Sequence, residues 1–202
     1  MEKSLTLSSP WLRFWSFITG LGMAVASYLT IDHFFRANFP ETIFTGSFCD
    51  LSSFFNCDSS AYSSIAHFQG VPLGYWGLVL GILVMLGAFL PSPRFEKVNK
   101  LLSLPNALGV LALFFYSVFY LKSLCLLCSG YYLFSLINFY LFWKFGLPSE
   151  PRGLVGFFRD FLFGSIKPLV AIGVLTVMGA FGFHLFYEAK KDAQSGGVAL
   201  KI

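Results

Sequence analysis

Four cysteines form two pairs whose spacing suits thiol chemistry. Cys49 and Cys57 are separated by seven residues, and Cys125 and Cys128 form a Cys-x-x-Cys motif. Two intervening residues on a helical turn bring the sulfurs of the second pair within reach of a disulfide. Cysteine pairs of this kind bind metals or exchange disulfides, and in each exchange step one thiolate attacks one disulfide sulfur. The first pair lies in polar and aromatic sequence, which suits a pair that passes a disulfide onward.

The chain that carries these cysteines is strongly apolar. Of its 202 residues, 56% are hydrophobic and 12% are charged, whereas about a quarter of a soluble domain is charged. The formal net charge is only +4, and the Lys and Arg residues form no basic stripe, so we expect no nucleic-acid partner. The sequence also has no Ser-His-Asp set or phosphate-binding loop. It therefore predicts a polytopic membrane protein, with residues 1–202 in one membrane domain.

Apolar stretches predict where the chain crosses the bilayer. One crossing takes roughly 20 apolar residues, and five stretches qualify: 11–31, 72–90, 104–124, 125–145 and 169–187. We expect an all-α fold, in which residues 11–145 form a four-helix catalytic bundle and residues 166–187 a fifth, peripheral transmembrane helix. Residues 188–202 are expected to form a flexible tail, since they include Ser195-Gly196-Gly197.

The first span has a second interpretation. Ala24-Val25-Ala26 resembles a signal-peptide cleavage site, but the apolar run continues beyond it, so we expect an uncleaved membrane anchor.

The distribution of Lys and Arg predicts the orientation of the chain. With a cytoplasmic N-terminus, nine of the 14 Lys and Arg residues face the cytoplasm, as the positive-inside rule requires. The remaining five are Arg36, Lys122, Lys190, Lys191 and Lys201. Both cysteine pairs then lie on the outer face, at the first loop and at the start of the fourth span. Disulfides persist on that face of a bacterial inner membrane.

We expect the Asp and His residues of the chain to have structural roles. We expect Asp50 and Asp58 to keep the first loop soluble, and His33, His67 and His184 to be interfacial or packing residues. Residues 62–68 predict a short amphipathic helix, with Asp58 or Ser59 as its N-cap. Two inert structural disulfides, or a zinc site with four Cys ligands, remain open as alternatives.

The order of these motifs resembles the vitamin K epoxide reductase family. The resemblance covers residues 11–145 and rests on the Cys49-x7-Cys57 pair, Ser63, the Gly70-Val71-Pro72 segment before a span, and Cys125-x2-Cys128. The DsbB family also has four cysteines, but there the Cys-x-x-Cys pair comes first.

The resemblance implies an enzyme that oxidises a partner protein and reduces a quinone, which is either ubiquinone or menaquinone. It implies no metal cofactor. The implied partner is a DsbA-like thioredoxin-fold protein, and we expect it to be a separate protein because the chain ends at Ile202. Two alternatives stay open, a vitamin K epoxide or quinone reductase of the ER type and a non-enzymatic membrane protein with structural disulfides. The implied roles are as follows: Cys49 meets the partner, Cys57 meets Cys125, Cys128 faces the quinone, and Ser63 and Tyr132 bind substrate.

Overall fold

The computed structural model describes residues 10–39, 52, 54–89, 93–146 and 166–199. In chain order its elements are α1 (Pro10–Asn38), α2 (Cys57–Ala61), β1 (His67–Phe68), β2 (Val71–Pro72), α3 (Leu73–Phe89), α4 (Pro93–Phe115), a π-helical continuation of α4 (Tyr116–Leu121), α5 (Leu126–Phe145) and α6 (Ile166–Ala199). Among the described helices, α1, α4 with its continuation, α5 and α6 are long and apolar enough to cross a membrane, and α3 is apolar but shorter. The prediction of an all-α, multi-pass membrane protein is confirmed.

Helix α1 lies at the centre of the bundle, because it packs along α3 on one side and along α5 on another. Glycines allow the close approach to α3. A Cβ atom added to Gly81 would lie 2.7 Å from the backbone nitrogen of Ala24, and one added to Gly20 would lie 2.9 Å from the carbonyl oxygen of Gly81. Small residues of this kind let membrane helices pack backbone to backbone.

Helices α4 and α5 form a tight hairpin, and α4 begins earlier than the apolar stretch 104–124 predicted. Its first turns carry Glu96, Asn99 and Lys100, which are buried in the described structure. The ammonium group of Lys100 lies 5.5 Å from the centre of the Trp143 ring on α5. Nδ2 of Asn99 donates to the Leu83 carbonyl oxygen on α3 over 3.4 Å. The helix therefore begins before the apolar stretch, where Asn99 and Lys100 contact other helices.

Helix α6 is longer than predicted. Its helical backbone continues to Ala199, so residues 188–199, which were expected to form a tail, are helical. The helix contacts α1 and α3: the Tyr75 hydroxyl donates to the Thr176 carbonyl oxygen over 2.7 Å, and the rings of Phe35 and Phe183 stack at 5.9 Å. Further along α6, Nδ1 of His184 lies 2.7 Å from the carbonyl oxygen of Gln69. This contact brings α6 against the turn between β1 and β2.

Candidate active site

Five of the six predicted site residues line one cavity of about 400 Å³. They are Cys57, Ser63, Cys125, Cys128 and Tyr132. The sixth, Cys49, lies outside the described residues. The cavity is bounded by α1, α3, α4 and α5, and α2 contributes to its wall at the cysteine end. The structure thus brings together residues from both cysteine pairs and both predicted substrate-binding residues.

A short backbone ladder places the first pair against the second. The N–H group of Leu124 donates to the Phe54 carbonyl oxygen over 2.6 Å, and the N–H group of Asn56 donates to the Leu124 carbonyl oxygen over 3.2 Å. These bonds form a parallel bridge between Phe55 and Leu124. Cys57 follows Phe55 by two residues and Cys125 follows Leu124 by one. The bridge thus brings the two cysteines together, and their sulfur atoms lie 3.3 Å apart.

Helix α2 starts at Cys57, one residue after a cap that differs from the prediction. The Asn56 side chain accepts the Ser59 N–H group over 2.8 Å, which makes Asn56 the N-cap instead of Asp58 or Ser59. The helix ends at Ala61, so the amphipathic helix predicted over residues 62–68 is wrong, and His67 and Phe68 form a strand. An amide oxygen at the N-cap satisfies a free N–H group of the first turn, and this fixes the backbone beside Cys57.

Cys125 is the N-cap of α5, and the Cys-x-x-Cys motif lies at the start of this helix, where the fourth apolar stretch begins. Its backbone is extended, and its sulfur accepts the N–H group of Cys128 over 3.3 Å. The amide groups and the positive end of a helix dipole stabilise a negative charge at this position. The Cys125 sulfur can therefore act both as a thiolate nucleophile and as a leaving group.

The described cysteines differ in their bonding. Cys57 is disulfide-bonded, whereas Cys125 and Cys128 are not part of a disulfide. Cys57 and Cys125 are almost fully buried, and Cys128 lies beside the side chains of Cys125 and Thr30. Within the described ranges, no group of three or more His, Cys, Asp and Glu side chains is placed to hold a metal ion.

The rest of the cavity wall is mostly apolar. Its larger apolar side chains include Leu73, Trp76, Leu80, Leu102, Val110 and Leu113. The lining positions on α4 and its continuation run from Leu102 to Leu121, a length of roughly 28 Å at the rise of a helix. A Cβ atom added to Gly109 would have no neighbour within 4 Å, because it would point into open space. Such a site fits an elongated apolar ligand.

The predicted substrate-binding residues carry hydroxyl groups into this wall. The Tyr132 side chain lines the cavity beside Ser117 of the π-helical segment, and the Ser63 hydroxyl donates to the Ser60 carbonyl oxygen over 2.8 Å. A hydroxyl group can still accept hydrogen bonds when its proton is used. Both residues therefore keep a polar atom at the edge of an apolar site.

Sequence reasoning missed several polar residues of the wall. His33 lines the cavity, and its Nε2 atom lies 3.0 Å from Oδ1 of Asp58. The sequence analysis expected a packing or interfacial role for His33 and a solubilising role for Asp58, and it did not predict their contact. Deeper in the bundle, the Tyr131 hydroxyl donates to Oδ1 of Asn106 over 2.8 Å. No spacing rule links residues so far apart in the chain, so no sequence signal could have found these pairs.

Comparison with protein families places these residues in a known group. Residues 14–143 match the model of the Vitamin K epoxide reductase family, a stretch that contains all four cysteines and most of α1 to α5 but not α6. A comparison with curated proteins finds no match.

Proposed function

The chain belongs to the vitamin K epoxide reductase family of membrane oxidoreductases, and from this premise we propose that it is a quinone-dependent disulfide oxidoreductase. It oxidises the dithiol of a separate, DsbA-like thioredoxin-fold protein and so supports disulfide formation. One observation carries the proposal: the sulfur of Cys57 lies 3.3 Å from that of Cys125, at an apolar cavity that Cys128 also lines.

Transfer between the two pairs takes two exchange steps. The Cys57 thiolate attacks Cys125 in the oxidised Cys125–Cys128 pair; the Cys57–Cys125 bond forms, the Cys125–Cys128 bond breaks, and Cys128 takes up a proton. The Cys49 thiolate then attacks Cys57 and releases Cys125, which takes up the second proton. Two electrons and two protons have then passed from the loop pair to Cys125 and Cys128.

The cavity fits the proposed acceptor, ubiquinone or menaquinone. Its apolar wall suits a lipid-soluble ring and chain, and the hydroxyl groups of Tyr132 and Ser117 would hold a carbonyl oxygen. The quinone supplies the oxidising power, since it takes two electrons and two protons from Cys125 and Cys128 and leaves as a quinol. In this proposal Cys128 faces the quinone, and Cys125 exchanges disulfides with Cys57 of the loop pair.

The proposed location is a bacterial inner membrane, with a cytoplasmic N-terminus and the cysteines on the exterior face. The distribution of Lys and Arg supports this orientation. Disulfides formed on that face persist.

The test is turnover by the purified protein in liposomes, with a reduced thioredoxin-fold partner and a short-chain ubiquinone. We expect loss of quinone absorbance, and one partner disulfide formed per quinone consumed. Cys128→Ala should abolish quinone reduction while leaving the folded protein in the membrane. Leu133→Ala is the matched control, because Leu133 lies on the same helix and is exposed on the bundle surface.

Thiol trapping in cells depleted of quinone gives an independent result. The cysteines should accumulate in the reduced form when the acceptor is missing. Unchanged disulfides in such cells, or full quinone reduction by Cys128→Ala, would refute the proposal. Turnover of vitamin K epoxide by the purified protein would instead favour the reductase activity of the ER type.

A further inference from the structure

A buried pair of side chains lies beside the redox cysteines and has no part in the steps above. Nε2 of His33 on α1 lies 3.0 Å from Oδ1 of Asp58, with 10% of the first side chain and 23% of the second exposed. Asp58 directly follows Cys57 in the first turn of α2. The pair thus joins the central helix of the bundle to the turn that carries the transferring sulfur.

The far end of α2 is held to α1 in a different way. Nδ2 of Asn38 donates to the Ala61 carbonyl oxygen over 3.2 Å, and the Tyr62 hydroxyl donates to the Ala37 carbonyl oxygen over 3.0 Å. These contacts lie about one helical turn beyond Cys57. In the described part of the chain, the contact between His33 and Asp58 links α1 to the first turn of α2.

The position of this turn matters because disulfide exchange is sensitive to geometry. The reacting sulfurs must approach closely and in line, and a displacement of one ångström can cost about 100-fold in rate. The backbone ladder sets the register of Cys57 against Cys125, but it ends at Asn56. Beyond that residue, the contact between Asp58 and His33 opposes rotation of the first turn away from Cys125.

We propose that His33 is a positioning residue of the thiol relay, which acts through Asp58 to hold the Cys57 sulfur against Cys125. The role rests on the proposed function, because it serves the transfer between the two pairs. It assigns His33 to that transfer and not to the later step at Cys128. His33→Ala removes the imidazole ring that lies against the Asp58 carboxylate and leaves space beside the turn, so the turn should shift in this variant.

The direct test uses a background in which Cys49→Ala and Cys128→Ala leave only Cys57 and Cys125. Mild oxidation with diamide then forms the Cys57–Cys125 disulfide, and gel-shift alkylation follows its rate. We expect His33→Ala to slow this reaction by about tenfold or more. His33→Gln can still donate an amide N–H group to Asp58 and should keep most of the rate. The matched control is Asp32→Asn, since Asp32 forms an exposed pair with Arg36 on the same helix.

A second background separates positioning from general damage to the bundle. With Cys49→Ala and Cys57→Ala, dithiothreitol reduces Cys125 and Cys128 directly, and quinone reduction then reports only the final step. His33→Ala should leave this rate within about twofold of its parent, since the 1 Å displacement that costs ~100-fold affects only the other step. Equal loss in both backgrounds, or unchanged formation of the Cys57–Cys125 disulfide, overturns the inference. The diamide reaction needs no quinone, so failure of quinone turnover in the wild-type protein would refute the proposed function and leave this test valid.

Discussion

The close packing of α1 on α3 makes Gly81→Ala a sharp test of the fold. The added methyl group would lie 2.7 Å from the backbone nitrogen of Ala24 and 2.9 Å from the carbonyl oxygen of Gly20. Ordinary van der Waals contact begins at 3.4 Å, so the helices must separate by about 0.7 Å. Neither contact atom belongs to a flexible side chain, and the strain cannot be relieved by a change of rotamer.

Overpacking of this kind costs ~1–3 kcal/mol. For a chain of this length, each kcal/mol lowers the unfolding midpoint by about 2–4 °C, which gives a decrease of roughly 2–12 °C. Thermal unfolding of the purified protein in detergent, followed by circular dichroism, measures this shift. Gly109→Ala is the matched control, because it adds the same methyl group where nothing lies within 4 Å, and its midpoint should change little. An unchanged midpoint for Gly81→Ala, or an equal decrease for both variants, would refute the packing of α1 on α3.

Two further predictions concern the site. Tyr132→Phe removes a hydroxyl group of the cavity wall that the proposed function assigns to a carbonyl oxygen of the quinone. The KM for a short-chain ubiquinone in steady-state assays should therefore rise about 5–10-fold, the effect of losing roughly 1 kcal/mol of hydrogen bonding. Asn56→Ala removes the N-cap of α2 at a cost of ~1 kcal/mol, so the Cys57–Cys125 disulfide should form more slowly with diamide, while Asn56→Asp, which keeps a capping oxygen, should match the wild type.

Each of these two predictions has a result that contradicts it. A KM unchanged by Tyr132→Phe would show that the tyrosine is only a packing residue of the wall. An Asn56→Ala variant whose disulfide forms at the wild-type rate would show that the backbone ladder alone holds Cys57 in place.

Hydropathy was enough to predict the bundle because it is a local property of the chain. The stretch 125–145 matches α5 within one residue. The first stretch was set too short, since α1 continues from residue 31 to Asn38. Its last turns carry charged residues, but Asp32 and Arg36 form an i,i+4 pair at 2.9 Å and His33 pairs with Asp58. Polar residues end an apolar stretch without ending a helix.

Residue types and their spacing predicted part of the site. The Cys-x-x-Cys motif begins the apolar stretch 125–145, which places it at the start of α5. The family resemblance paired Cys57 with Cys125. The partner of His33 could not be predicted, because Asp58 lies 25 residues further along the chain. The N-cap was missed for another reason: Asn56, Asp58 and Ser59 are all good capping residues, and backbone pairing to Leu124 decides between them.

The ladder beside Cys57 and Cys125 consists of main-chain atoms alone, and this bears on how the sequence can change during evolution. Any residue except proline supplies the N–H groups that positions 56 and 124 contribute. Substitutions at Phe54, Phe55 and Leu124 therefore keep the backbone bonds that align the sulfurs, unless proline replaces Leu124. Among related sequences we expect proline to be absent at positions 56 and 124, and position 124 to show little preference for any other side chain.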